Sequence, residues 1–505
     1  MNRILVAAAV SLATLTILSA CATAAGPRDD AAATAASSPT GRIAHGTPTS
    51  IAGVDSTPAG EAGPVEPASA PAPVPGRYPA DRKIAGPQAG ASGPEPDSRA
   101  WLAAGQLTTE KRVDPAVRTL VRSMSLEEKV GQLLMIAVED PKTHREIPTI
   151  DSRFRALLDR VKPGGVILFG GNLVTVPQTI HLISELQQRS RIPLFVATDE
   201  EGGEVSRLNA SGKIPATPVP SAWVIGEAND PELAYEAGRV IGQELAAIGL
   251  NMDLAPDADV LTNPENRVIG TRSFGAGPTV VARMVAAVVR GIQDEGVSAV
   301  IKHFPGHGDT ANDTHVKAAV VYSDRARLDA VELVPFKSGI SAGVDGIMTA
   351  HIGLPEITGS AEPATLSPAI VDGILRHDLG FQGVVFTDAM NMAALDSYTS
   401  QTQAVVAAVL AGCDVILRPL DARAAFDSLV QAVHGGRISE ERLDRSVERI
   451  LSLKYERNLF ERGRSQLTVA RAETILGTPA HRSVMDRIIE AAKLRSESKK
   501  STASR

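Results

Sequence analysis

The feature that most constrains the fold of this chain is a rhythm that begins near Leu133. Short apolar runs, many rich in branched residues, alternate with longer stretches of helical periodicity. The runs are Leu133–Val138, Gly165–Phe169, Leu194–Thr198, Met252–Ala255, Ala299–His303, Gly346–Ala350, Val384–Thr387 and Val415–Arg418. Helical patterns between them include Pro177–Gln188, Glu232–Ile248, Thr279–Glu295, Arg325–Ala342, Pro368–Leu379 and Thr399–Ala411. A run that is apolar throughout has to be covered on both faces, as in a parallel sheet. Eight such strands alternating with helices, with no second strand-rich region, predict an α/β protein with a (β/α)8 TIM barrel as its single catalytic domain. A doubly wound open sheet shares the alternation and differs only in closure, which periodicity does not report.

Upstream of Pro115–Met124 and Leu126–Leu133, two helical patterns, the texture changes. Ser125 and Glu128 form a capping box at the start of the second helix. Residues 1–20 hold Arg3 and an apolar run too short to span a bilayer, the pattern of an export signal. The run ends in Leu18-Ser19-Ala20-Cys21, which resembles a bacterial lipobox and implies a lipid-anchored protein at the outer face of the cell membrane. An ordinary cleaved signal with an incidental cysteine is the alternative. Residues 21–100 are rich in Ala, Pro, Gly, Ser and Thr; such a segment cannot build a core, and it predicts a disordered tether. The barrel is expected over 101–465, and 466–505 should add a helix around Arg482–Leu494 and a polar tail. The two cysteines, Cys21 and Cys413, rule out a disulfide framework, and Cys413 reads as a buried core thiol. A net charge of -7 excludes a nucleic-acid surface as the main feature.

Polar residues gather where the strands end, which in a barrel is one rim. The third strand runs into Asp199-Glu200-Glu201-Gly202-Gly203, followed by Arg207. The fourth supplies Asp253 and Asp257, and the loop after it holds Arg272 within Gly270-Thr271-Arg272-Ser273-Phe274-Gly275. The fifth ends in Lys302-His303 and continues through Phe304-Pro305-Gly306-His307-Gly308-Asp309-Thr310 to Asp313-Thr314-His315. His351 follows the sixth strand and Asp388 the seventh, in Thr387-Asp388-Ala389-Met390. Each has a structural explanation alone, a helix cap for an Asp or a tight turn for a Gly pair. Their convergence on one rim points to a site.

These motifs, in this order from about Thr119 to Leu459, resemble glycoside hydrolase family 3, and within it the single-barrel bacterial β-N-acetylglucosaminidases. The resemblance implies Asp388 as catalytic nucleophile, His315 as general acid/base and Asp313 as its dyad partner. It also implies Asp199, Arg207, Arg272, Lys302 and His303 as residues that hold the terminal sugar, with no cofactor or metal. The substrate would be a small glycan or muropeptide. Glu200, Glu204 and Thr314 stand where this family commonly has Gln, Arg and Ser. Glu204 is expected to make the surroundings of Asp199 more acidic.

The chemistry agrees. A retaining glycosidase needs one carboxylate to bond the anomeric carbon and a second group to give and then take a proton. Histidine titrates near neutrality, and a nearby Asp fixes its tautomer. Lys302 and His303 pose a difficulty, because neighbours in a regular strand face opposite ways. Relatives acting on glucosides commonly draw an acid/base from a further domain, and 473–505 is too short to build one, which favours N-acetylglucosamine over a β-glucosidase. A neutral histidine also repels an incoming phosphate less than a carboxylate does, so a phosphorylase is a further alternative. A divalent-metal cluster of His303, His307, Asp309, Asp313 and His315 is a rival use of the same loop; Pro305-Gly306 keeps His303 and His307 off a shared helical face. A non-catalytic solute-binding lipoprotein would suit the lipobox and tether equally, but has no need of a nucleophile.

Overall fold

The computed structural model describes residues 113–310, 319–395, 398–462 and 467–503. The expected leader, tether and Cys21 lie outside the described residues. Ten strands are present among those described: β1 (Leu134–Ala137), β2 (Gly165–Ile167), β3 (Phe195–Thr198), β4 (Met252–Asp253), β5 (Ser298–Phe304), β6 (Ala319–Val320), β7 (Gly346–Thr349), β8 (Ile352–Gly353), β9 (Val384–Phe386) and β10 (Ile416–Leu417). Eight of them form one parallel sheet in the order β10-β1-β2-β3-β4-β5-β7-β9. A parallel bridge between Phe386 and Val415 joins its two ends, so the sheet curls into a nearly closed barrel. Seven of the predicted runs contain one of the eight strands, and the eighth, Ala299–His303, lies within β5. β6 and β8 pair separately as a parallel ribbon, with Ala319 opposite Ile352.

The expected burial on both faces holds: every residue of β1, β2, β3, β5, β7 and β9 is buried. Helices alternate with the barrel strands, among them Val176–Arg189, Pro231–Ile248, Pro278–Asp294 and Gln401–Ala411. The capping box closes as read: Glu128 N donates to Ser125 Oγ at 3.2 Å and Ser125 N to Glu128 Oε2 at 3.1 Å. The helix Ser152–Val161, between β1 and β2, was not expected, although its buried Phe154, Leu158 and Val161 lie on one face.

Two helical readings change. The single helix expected over Arg325–Ala342 is two, Arg325–Ala330 and Leu333–Ser341. Pro335 lacks an N–H, and its ring would clash with the carbonyl four residues back, at Val331, where the backbone leaves helical geometry (φ -127°, ψ -73°). The C-terminal helix runs over Pro479–Ala503 and takes in most of the Ser/Lys stretch read as a tail. Lys499 Nζ reaches Glu227 at 2.9 Å, and the Nδ1 of His481 meets the buried Glu244 at 2.8 Å, so the helix is held along its length. Cys413 is buried as expected.

Buried charge also holds the N-terminal end of the barrel. Asp414, just before β10, accepts from Val385 N at 3.0 Å and Ser446 Oγ at 2.6 Å. It also pairs with Arg376 and with Arg449, the latter at 3.2 Å. Lys454, fully buried, donates to Gln132 Oε1 at 2.8 Å and to the Gly164 carbonyl at 2.7 Å; its burial pushes the ammonium well below the usual lysine range.

Candidate active site

At the C-terminal ends of the strands lies a cavity of about 530 Å3, lined by Asp199, Arg207, Arg272, Lys302, His303 and Asp388. The six come from β3 and its loop, the loop after β4, β5, and the end of β9. The structure thus brings together six of the eight residues expected to act on substrate. Asp313 and His315 lie outside the described residues. Both Lys302 and His303 reach the cavity. The pairing of β5 with β7 shifts register between Ile301 and Phe304, so the end of β5 is not the regular strand in which neighbours face opposite ways.

One wall is an ion-pair network. Lys302 Nζ donates to Asp199 Oδ1 at 2.7 Å and lies 2.7 Å from Glu201 Oε1. Arg272 holds Glu201 with both arms of its guanidinium, each at 2.8 Å. Burial disfavours the charges of Glu201, Arg272 and Lys302, but their mutual attraction outweighs it. Glu201 is held below the usual carboxylate range, and Arg272 and Lys302 above their ordinary values. All three stay ionised at neutral pH, giving a rigid row of donors and acceptors of the kind that reads sugar hydroxyls.

Asp388 also lines the cavity. Its backbone N donates to the Thr349 carbonyl at 3.1 Å, and its Oδ1 accepts from Ala389 N at 2.7 Å. The Ala389 carbonyl meets the Nε2 of His351 at 3.1 Å, and the Nδ1 of that buried ring meets Thr365 Oγ1 at 2.9 Å. His351, on the expected rim, therefore braces the turn that presents Asp388 rather than facing the cavity.

His303 lines the cavity as well. Its Nδ1 is 2.7 Å from Asp259 Oδ2 and its Nε2 is 3.4 Å from Arg272 Nη2. Burial and the Arg272 charge push the imidazole down to about 4, so it is neutral at physiological pH. Asp259 also accepts from His307 N at 2.6 Å, and burial, then His303, pushes His307 down to about 4. Asp257 is buried behind the cavity; burial and the neighbouring Asp259 carry its carboxyl well above the ordinary range. The structure redraws the metal rival. Asp309 turns to Thr262 Oγ1 at 2.8 Å, whereas Asp257, Asp259 and His303 have ligand-type atoms within 4.8 Å of one another. Arg272 lies 3.7 Å from Asp257, and a guanidinium there opposes a metal cation.

Two of the departures from the family pattern, Glu200 and Glu204, do not line the cavity, and Thr314 lies outside the described residues. Glu200 is buried, its Oε2 accepting from the backbone N of Arg207 at 2.8 Å and of Leu208 at 3.0 Å; it shapes the loop carrying Arg207, and burial raises its carboxyl. Glu204 is exposed and does not line the cavity, so the expected acidity beside Asp199 comes instead from Glu201. Sequence reading assigned no role to Glu201 or Asp259, and it missed Phe169 and Arg418, which also line the cavity or support it. Phe169 and Arg418 end two of the predicted strands, where position alone was the available signal.

Comparison with known proteins agrees with this geometry. Residues 125–453 match the model described as "Glycosyl hydrolase family 3 N terminal domain". The chain is 35% identical over 359 residues to "Beta-hexosaminidase A" of Pseudoalteromonas piscicida, covering 66% of this chain and 59% of that protein. It is 39% identical over 259 residues to "Beta-hexosaminidase" of Stenotrophomonas maltophilia (strain K279a), covering 50% of this chain and 75% of that protein. Among solved structures, a glycoside hydrolase family 3 β-N-acetylglucosaminidase from Paenibacillus sp. str. FPU-7 superposes with a TM-score of 0.68 at 41% identity, over 73% of this chain and 69% of that one. With the barrel, the strand-end residues and the match over 125–453 in agreement, the chain belongs to glycosyl hydrolase family 3.

Proposed function

We propose that the protein is a retaining exo-β-N-acetylglucosaminidase that releases terminal N-acetylglucosamine, its natural substrates being peptidoglycan fragments. The observation behind this reading is that one cavity is lined both by Asp388 and by the Asp199–Lys302–Glu201–Arg272 row. The row orients a terminal sugar and the carboxylate meets its anomeric carbon. The names of the relatives above support N-acetylhexosamine as the sugar.

In the first step an Asp388 oxygen bonds to the anomeric carbon as the glycosidic C–O bond breaks, and His315, oriented by Asp313, gives its proton to the departing oxygen. In the second, water attacks the same carbon, His315 takes a proton from it, and the Asp388 carboxylate leaves. Asp199, Arg207, Arg272, Lys302 and His303 hold the sugar throughout. The neutral His303 accepts or donates a hydrogen bond without changing the charge of the pocket.

A slow fluorinated N-acetylglucosaminyl substrate should add one sugar mass to the peptide containing Asp388, and label on any other carboxylate overturns the assignment. A chromogenic N-acetylglucosaminide should be turned over in preference to the matching glucoside. With phosphate present the product should remain free N-acetylglucosamine; sugar 1-phosphate would make the enzyme a phosphorylase. The lipobox supports a protein exported and anchored through Cys21 to the outer face of the membrane. Cys21→Ala should then abolish incorporation of labelled fatty acid.

A further inference from the structure

His303 has a neighbour at each ring nitrogen, and the two neighbours agree on where its proton sits. On one side Asp259 Oδ2 lies 2.7 Å from Nδ1. That carboxylate is surrounded by donors: its Oδ1 accepts from His307 N at 2.6 Å, and its Oδ2 also from His303 N at 3.3 Å. On the other side Arg272 Nη2 stands 3.4 Å from Nε2. A guanidinium only donates, so Nε2 meets it with a lone pair; an ionised carboxylate only accepts, so Nδ1 meets it with the proton.

Asp259 stays ionised because the extra proton of this buried pair has a place on Asp257. Asp257 Oδ1 accepts from Asp259 N at 2.8 Å, whereas its buried Oδ2 has no hydrogen-bond partner among the described residues. Burial raises both carboxyls, and two like charges so close do not both ionise; Asp257, with no donor on that oxygen, is the one that holds a proton.

Arg272 does not depend on the imidazole. Its Nε and Nη2 each donate to Glu201 at 2.8 Å and its Nη1 to the Val268 carbonyl at 3.1 Å. The long contact at Nε2 is therefore replaceable, and His303 lines the cavity in which it would be replaced. We propose that Asp259 is a positioning residue that fixes His303 as a hydrogen-bond acceptor, so that the sugar hydroxyl meeting this ring must be a donor. A group that only accepts, such as fluorine, is refused there. This rests on the glycosidase reading above.

Asp259→Asn is nearly isosteric and reverses the arrangement. His307 N holds the amide oxygen on its own side, which turns the amide NH2 towards His303 Nδ1 and drives the ring proton to Nε2. Long-range proton–nitrogen spectra of protein labelled with nitrogen-15 histidine read the tautomer directly, the His303 ring being identified by its absence in His303→Ala. The wild type should carry the proton on Nδ1, Asp257→Asn should keep it there, and Asp259→Asn should move it to Nε2. A wild-type ring with its proton on Nε2 overturns the proposal, even if the Asp259 variant does not fold.

Kinetics supply the second arm. A chromogenic N-acetylglucosaminide is compared with its deoxy and deoxyfluoro analogues at each free hydroxyl, in wild type, Asp259→Asn and His303→Ala. The hydroxyl that meets His303 is the one whose removal costs wild type about tenfold in kcat/KM and costs His303→Ala little. At that position the fluoro-to-deoxy ratio should rise by about fivefold in Asp259→Asn, because Nε2–H now donates to fluorine. The inductive effect of fluorine is the same in both proteins and cancels. A folding defect lowers every substrate together and leaves these ratios alone. Ratios unchanged at all positions, or no hydroxyl whose penalty depends on His303, overturn the proposal. A wild type that turns over none of these compounds defeats the glycosidase reading, while the spectra still decide the tautomer.

Discussion

Both ends of this barrel bury charge, and the two ends use it differently. At the N-terminal end Asp414 gathers Arg376, Arg449 and Ser446, joining β10 to the helices Ala369–Asp378 and Glu440–Glu456. None of these groups lines the 530 Å3 cavity. At the C-terminal end Glu201 gathers Arg272 and Lys302 in the same manner, yet those groups form one of its walls. Ion pairing is common to both ends; a hollow beside it distinguishes a site from a clamp. Substitutions at the upper end should therefore act on turnover, and those at the lower end on stability.

The largest contrast should come from Asp388→Asn. Turnover of a chromogenic N-acetylglucosaminide should fall by about 10⁴-fold or more, the scale of losing a catalytic nucleophile, with little change in thermal midpoint. A small loss would break the comparison at its upper end. Next comes Asp414→Asn, which leaves buried guanidiniums short of their carboxylate and should cost about 3–5 kcal/mol of stability. Denaturant unfolding measures that cost, and the kcat of the protein that remains folded should be unaffected. Lys302→Met should lower kcat/KM by about 100-fold, since Asp199 and Glu201 lose a buried partner. Steady-state kinetics check it, and a pure stability defect would place Lys302 with the clamp.

The smallest effect concerns pH. Asp257 has its carboxyl raised well above 3.8 by burial and by Asp259. Above that value the unfolded chain releases this proton while the native state keeps it, so the native state binds more protons and stability falls as pH rises. Asp257→Asn removes that dependence. Relative to the wild type, the variant should gain on the order of 1 kcal/mol between pH 5 and pH 8. Calorimetry at both values reads the difference, and an unchanged gap between variant and wild type across the two pH values would mean that Asp257 is already ionised in the native protein.

The barrel was legible because each of its strands is written locally. Gly165–Ile167 and Val384–Phe386 need no distant partner to read as fully buried strands. The split of the Arg325–Ala342 helix was not read, although Pro335 was visible, because the helical pattern continues on either side of it. The rim residues followed from strand ends, which is why Asp199, Lys302, His303 and Asp388 were found together. The link between Asp259 and His303 was not legible, because Asp257 was the more conspicuous acid of a pair two residues apart. His351 was placed on the correct rim, yet it serves the Asp388 turn from behind.

What the sequence determined by itself was the order of the elements and the side of the sheet on which polar residues collect. Burial periodicity and strand termination are short-range properties, set within a few residues by the solvent preference of each side chain. What only the tertiary structure decided was which charges meet. Lys302 and Asp199 are 103 positions apart, and Arg418 and Glu139 are 279 apart. Such pairs form only when the curled sheet brings distant strand ends to one mouth. Their strength then depends on how completely water is excluded there, a quantity that no local stretch of sequence encodes.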